Sequence, residues 1–513
     1  MKKFKTLPIL LIQKAFNRSI APNTNLGELK SEGNSRRKFM KNGALASMSI
    51  VIGGSQLISS CNLTDSGSKE LPVAILGGGI AGLHAGYLLS KSNIDFRVFE
   101  SSKRVGGRIF TRKDLFAKGT TTEFGGEFID SNHEDMLKLV DEFKLELLDI
   151  DSHIKNKKLK KDNFYFNGKP LNEEEVISAF IPYSKKIAID VKLVNDEDEK
   201  AIQRFDQMSI DEYLTSVGVT GWLFEFITTA YTAEYGIESK EQSSLNMLYM
   251  LNPDTSEGLQ VYGESDERYR IKGGNEKLIE KLSEKINDKI LKDSHCVSIT
   301  ENNGSFQLQF KNGEVFSAKF LIVAIPFTAL RKIDIRVPMS EDKKKAIQEL
   351  GYGTNSKLFL GYKDRPWNNL GYSGGVFNSE IHNGWETTQM QESLESVYTV
   401  FVGGDAGKNM TELKAEKYVD TLNSIFPDSK QNWLQQKTVF NWSTSSLVEG
   451  SYSAYRKGQW TTISGMEKEP VGNMFFAGEH CSEDFQGYMN GGAETGRLAA
   501  EAIMEKLKEK KKG

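Results

Sequence analysis

The chain has 513 residues, with 66 Lys and Arg against 69 Asp and Glu, six His and three Cys. That balance excludes the basic footprint of a nucleic-acid-binding protein. Three cysteines and six scattered histidines leave no disulfide framework and no metal-binding cluster to read.

Residues 1–60 read as an export signal rather than as part of the folded body. Ser35-Arg36-Arg37-Lys38-Phe39-Met40-Lys41 resembles a twin-arginine export motif. The weakly apolar run after it, residues 43–60, contains Gly53, Gly54 and several serines and makes a poor membrane span. It ends at Ile58-Ser59-Ser60-Cys61, which resembles a bacterial lipobox with Cys61 as the lipidated residue. The resemblance implies export of a folded protein by the twin-arginine pathway. It also implies a periplasmic or cell-envelope location, with a lipid anchor at Cys61 in the membrane. A chance basic patch and an ordinary buried thiol are the alternative. The first 34 residues are unusually long for a leader. Residues 1–60 hold ten basic and two acidic side chains, which leaves 56 against 67 for the rest. An acidic exterior mildly favours cationic substrates. Residues 61–71 read as a tether.

Residues 73–83 predict a buried strand, a glycine turn and a helix start, with Ile80 and Ala81 opening the helix. Gly77, Gly79 and Gly82 occupy the G-x-G-x-x-G positions. The first permits a tight turn, the second lets backbone approach a pyrophosphate, and the third lets helix and strand pack closely. Glu100, followed by Ser101, ends the next apolar strand 18 residues past Gly82, where a ribose-binding acid is expected. A second glycine motif follows at once, Arg104-Val105-Gly106-Gly107-Arg108, where Gly107 brings backbone near a ligand and Arg108 offers a fork for phosphate. With this motif the chain resembles the flavin-containing amine oxidase superfamily, which includes monoamine, polyamine and L-amino-acid oxidases. The resemblance implies FAD as the cofactor.

It also implies an α/β architecture: a Rossmann-like FAD-binding domain, of the p-hydroxybenzoate hydroxylase-like type, with a mixed sheet-plus-helices substrate domain. The FAD domain is expected to be discontinuous, over residues 72–150, 266–331 and 466–506. The substrate domain would take 151–265 and 332–465, and 507–513 would form a charged tail. Within this frame Gly125, Gly126 and Glu127 resemble the family's acid-apolar-Gly-Gly element. Helical spacing of apolar residues runs from about 172 to 251. Residues 269–275 open a helix expected to reach Leu291. Asn312-Gly313 signals a hairpin between residues 306–310 and 315–316. Residues 320–326 read as a separate buried strand. Val297 falls where the family places a backbone contact to adenine. A strand at 474–477, the turn Gly478-Glu479-His480 and a last helix close the FAD domain.

Asn441-Trp442, Gly450-Ser451-Tyr452 and Gly487-Tyr488-Met489 resemble the monoamine oxidase active-site segments. By that resemblance Tyr452 and Tyr488 form an aromatic cage that also binds substrate. Trp442 lines the flavin, Met489 approaches it through backbone beside Gly487, and Gly478 with Glu479 reaches its ribityl–pyrophosphate part. Lys357 aligns with the lysine that holds a water at the flavin. Ser451 stands where monoamine oxidases have the cysteine bonded to the flavin, so the FAD should be noncovalent. Asp130 falls where polyamine oxidases place a glutamate or histidine, and either pairs with a distal ammonium or is an exposed helix-capping acid.

The implied reaction is oxidation of a primary amine or polyamine to an imine, with O2 reduced to hydrogen peroxide. An L-amino-acid oxidase, a desaturase-like flavoprotein and a non-catalytic lipoprotein binding cationic ligands are the other readings.

Overall fold

Val73, Ala74 and Ile75 are fully buried because β1 (Leu71–Leu76) runs inside an eight-stranded sheet, with parallel neighbours on both sides. The computed structural model describes residues 70–161, 163–251 and 265–509, and Ile12 alone before them. The export motif, the lipobox with Cys61, the tether up to residue 69 and residues 510–513 lie outside the described residues.

From β1 the chain turns through the glycines into α1 (Ile80–Lys91), then returns along β2 (Phe96–Phe99), parallel to β1. Such a strand–helix–strand unit leaves the helix N-terminus facing the carboxyl ends of the strands. An ideal Cβ on Gly82 would lie 2.0 Å from the Gly77 carbonyl oxygen, so only glycine lets α1 start this close to the turn. A helical insert follows, Glu173–Asn195, Glu199–Asp206, Ile210–Val217 and α2 (Gly221–Tyr235), its apolar faces forming one core with the first sheet.

The chain then re-enters the first sheet. Its β3 (Val315–Val323) pairs antiparallel with Ser305–Phe310 in its first half and parallel with β1 and Met474–Phe476 in its second. A second, seven-stranded sheet is built around β4 (Ser356–Tyr362), every residue of which is buried. Ser396–Val402 and Trp433–Asn441 flank β4, both antiparallel. The last helix, α3 (Met489–Glu509), packs along α1.

Four details differ from the sequence reading. Leu71 already belongs to β1. The helix expected to reach Leu291 spans Glu276–Lys285. Before it Gly273 and Gly274 both adopt positive φ, and after it Ile290–Leu291 forms an edge strand on β2. Residues 315–323 are one strand, because its alternating first half and continuously buried second half serve different neighbours. Asp334–Arg336 pairs with Cys296–Asn302, carrying the first sheet past residue 331. Among the described residues no helix is long and apolar enough to cross a membrane.

Candidate active site

A cavity of about 650 Å³ begins at Ser294–Cys296, passes the glycine turn and α1 N-terminus, and extends to Lys357, Tyr452 and Tyr488. Its wall includes Gly77, Gly79, Ile80, Ala81, Glu100 and Ser101 from the first unit, then Gly107 and Arg108. Gly125, Gly126 and Glu127 join it from the next segment, and Trp442, Gly478, Glu479, Gly487 and Met489 from the last third of the chain. Gly82, Val297 and Asp130 are not on that wall.

The nucleotide end is a cradle of backbone. Gly79 caps α1 without any side-chain hydrogen bond, and the first turn carries no acid, so its N–H groups remain for a ligand. A Cβ on Gly79 would find nothing nearer than the Gly107 Cα at 3.9 Å. Glu100 is fixed at the end of β2: Gly78 N–H donates to one oxygen at 2.8 Å and Ser102 N–H to the other at 2.8 Å. A carboxylate retains further lone pairs for a ribose hydroxyl. Val297 sits at the bulge where the pairing of Cys296 and Ser298 slips, and its neighbour Cys296 faces the cavity in its place.

Arg108 lies on the same wall. Its Nη1 donates to the Ser451 carbonyl oxygen at 2.8 Å and to Glu479 Oε1 at 2.9 Å. Burial pushes the Glu479 carboxyl up, but Arg108, His480 and hydrogen bonds from Ser453 outweigh it and hold it below the usual carboxylate value. Glu479 also accepts from Ser453 Oγ at 2.8 Å and Gly487 N–H at 2.9 Å. It therefore braces the residues next to both tyrosines. Burial raises the Tyr452 and Tyr488 phenols well above their ordinary value, with Glu234 the next cause for each, so both rings stay neutral.

Lys357, on buried β4, directs its ammonium to the Glu123 and Gly125 carbonyl oxygens at 2.9 and 3.0 Å, and to Glu127 Oε2 at 2.8 Å. Glu127 in turn accepts from Arg270 at 3.0 Å, Trp385 Nε1 at 2.9 Å and Thr387 Oγ1 at 2.6 Å. Burial raises the pKa of both nearby acids. Lys357 and Arg270 overcome it at Glu127, which is lowered, whereas Glu123 is pushed up to about 8. One acid is thus an anion and its neighbour a neutral carboxylic acid below that pH.

Asp130 is neither exposed nor aimed into the cavity. Its Oδ1 accepts the Glu267 N–H at 2.9 Å and its Oδ2 lies 3.2 Å from His133 Nε2, both side chains being fully enclosed. Glu267 and Glu234 line the cavity instead. Arg270, Trp385, Thr387, Glu234 and Glu267 were not singled out in the sequence. Their spacing carries no local motif, and only sheet register and loop packing bring them here.

The model of the flavin containing amine oxidoreductase family matches residues 80–504. The chain belongs to this family. It is an oxidoreductase acting on amines, with FAD as its noncovalent cofactor. It is 24% identical over 463 residues to amine oxidase [flavin-containing] B of Cavia porcellus, covering 86% of this chain and 87% of that one. It is also 24% identical over 459 residues to an L-amino acid dehydrogenase of Synechocystis sp., covering 85% and 95%. The fold is similar to that of cyclohexylamine oxidase from Brevibacterium oxydans, with a TM-score of 0.75 at 20% identity over 86% of this chain and all of that one. The uncapped α1 N-terminus, the bare wall at Gly79 and Gly107, and the fixed Glu100 carboxylate fit an extended dinucleotide such as FAD. At Ser451 the side chain offers no thiol, and its hydroxyl is bonded to Asn355 Oδ1 at 2.7 Å.

Proposed function

We propose that this family member oxidises a primary amine or polyamine to an imine and passes the electrons to oxygen. In balance, RCH2NH2 and O2 give RCH=NH and H2O2, and water then converts the imine to an aldehyde and ammonia. FAD, when bound, supplies the two-electron acceptor. The observation that carries the reading is the pair Tyr452 and Tyr488, two neutral rings on one cavity that also holds Lys357.

Aromatic faces orient an amine without a counter-charge, and desolvation there lowers the amine's pKa so that the nitrogen keeps its lone pair. Trp442, packed edge-on against Phe440 at 4.8 Å, adds a further aromatic wall. The Lys357 ammonium favours negative charge developing beside it as oxygen takes up electrons. A substrate carboxylate is poorly served. Arg104 and Arg108, the arginines on the described cavity wall, are bonded to protein acceptors: Arg104 to the Gly107 and Ile109 carbonyl oxygens, Arg108 to Ser451 and Glu479. Residues 1–61 complete the reading as a twin-arginine lipoprotein signal that brings the enzyme to the cell envelope.

The purified yellow protein is mixed anaerobically with a panel of amines and then exposed to air. Loss of flavin absorbance with at least one amine, followed by peroxide formation, is expected. Failure of every amine to bleach it overturns the oxidase reading.

A further inference from the structure

Behind the cavity wall at Lys357 the buried charges do not balance. Arg270 and Lys357 are 5% and 7% exposed, and both are ion-paired to the same carboxylate, Glu127, at 3.0 and 2.8 Å. Among the described residues neither cation has a second ion-pair partner. Glu123, whose carbonyl oxygen also meets Lys357, has its carboxyl pushed up to about 8 by burial and is neutral below that pH. Two cations therefore share one anion, and away from water such an imbalance acts strongly on its neighbours.

The two oxygens of Glu127 divide the work. Oε1 accepts from Arg270, Trp385 and Thr387, which fixes the carboxylate, and Oε2 accepts from Lys357. The loop behind it is fixed as well, because Asn275 Nδ2 donates to the carbonyl oxygens of Gly126 and Glu127 at 3.0 and 2.8 Å. An ammonium has three N–H groups, and at Lys357 each has an acceptor: the Glu123 and Gly125 carbonyl oxygens and Glu127 Oε2. Lys357 therefore acts on the cavity as a fixed charge rather than as a spare donor. Among the described residues Arg270 Nε and Nη2 have no acceptor, which leaves its balance to Glu127.

Negative charge that develops on a flavin during reduction is favoured by positive surroundings and opposed by a nearby carboxylate. Lys357, Glu127 and Trp385 all line the cavity, so both signs are presented to a cofactor bound there. We propose that Glu127 is a positioning residue that fixes the Lys357 ammonium at the wall and, by cancelling half of the buried positive charge, holds down the reduction potential of the FAD. The proposal concerns the cofactor and not the amine, and so goes beyond the oxidase reading above.

The test measures the two-electron midpoint potential of FAD-loaded protein by equilibration with a reference dye and a chemical reductant, with no amine present. It compares wild type, Glu127→Gln, Glu127→Asp, Lys357→Met and the double variant Glu127→Gln with Lys357→Met. Glu127→Gln keeps the side chain's shape and removes its charge. It should raise the potential by about 30 mV or more, a tenfold shift in the reduction equilibrium. Glu127→Asp keeps the charge and should stay nearer to wild type, and Lys357→Met should lower the potential. An unchanged or lower potential in Glu127→Gln overturns the proposal, as does an equal shift in Glu127→Asp. If Glu127→Gln retains no FAD, the double variant decides: a potential above that of Lys357→Met upholds the proposal, and an equal one overturns it. Bleaching by the amine panel is scored separately. A raised potential without bleaching by any amine upholds the role of Glu127 and overturns the oxidase reading, and bleaching with an unmoved potential does the reverse.

Discussion

Gly79→Ala separates the cofactor's needs from those of the fold. Gly79 has φ −76° and ψ −178°, an extended conformation open to any residue. The added methyl would meet no protein atom nearer than the Gly107 Cα at 3.9 Å. The apoprotein should therefore keep its stability, or gain about 0.4–1 kcal/mol from a stiffer unfolded chain. The same methyl points from the cradle at the α1 N-terminus into the space a pyrophosphate would use. Forcing one methyl into a packed contact costs about 1–3 kcal/mol. That is a loss of about 5- to 150-fold in FAD affinity. Gly82→Ala behaves differently, because its methyl would lie 2.0 Å from the Gly77 carbonyl oxygen whether or not FAD is bound. Titrating apoprotein with FAD by flavin fluorescence, alongside thermal melts without FAD, distinguishes the two. Gly79→Ala should melt like wild type and bind FAD weakly, and Gly82→Ala should melt early. If Gly79→Ala binds FAD as tightly as wild type, the dinucleotide does not lie across this turn.

Lys357→Met should slow the oxygen half-reaction more than reduction by amine in stopped-flow experiments, and unchanged oxygen kinetics would remove the role assigned to its ammonium. Glu123 gives a pH dependence. Its folded-state pKa, about 8, lies above the ordinary 4.5, so the folded chain holds a proton that the unfolded chain releases. Its contribution to stability therefore falls as pH rises from about 4.5 to about 8. Glu123→Gln should flatten that part of the profile in urea melts at pH 5, 6.5 and 8, and an identical profile would rule the carboxyl out. Replacing Arg36 and Arg37 together by lysine should leave unprocessed protein in the cytoplasm on fractionation, whereas normal export would count against the twin-arginine motif.

The glycine turn and Glu100 were legible because their geometry is local. Spacings of two, three and 18 residues are set by one strand, one turn and one helix. The surroundings of Lys357 were not. Glu127 meets it across 230 positions of the chain, and reaches Arg270, Trp385 and Thr387 across 143, 258 and 260. No periodicity spans such distances: Lys357 and Trp385 belong to the second sheet, Arg270 to a separate two-stranded pair, and Glu127 to a loop packed between them. Asp130 is a related case: its side chain is enclosed against His133, three residues on, and accepts the Glu267 N–H from 137 residues away, a burial that no local spacing announces.

The cavity's charges are arranged so that each cation near the reacting region is held by a buried acid that has a second task. Glu127 neutralises Lys357 while anchoring Trp385, and Glu479 neutralises Arg108 while bracing the residues beside Tyr452 and Tyr488. Removing either acid would leave an uncompensated buried cation and loosen an aromatic wall together, so stability and positioning are coupled at these two carboxylates. The tyrosines themselves carry no charge, which suits a nitrogen that must be neutral to react. Attraction for a cationic substrate must then come from elsewhere on the wall. Glu234 is the charged group that acts most on both rings, and Ala233 beside it is tied through Asn355 and the Tyr452 hydroxyl to the tyrosine loop.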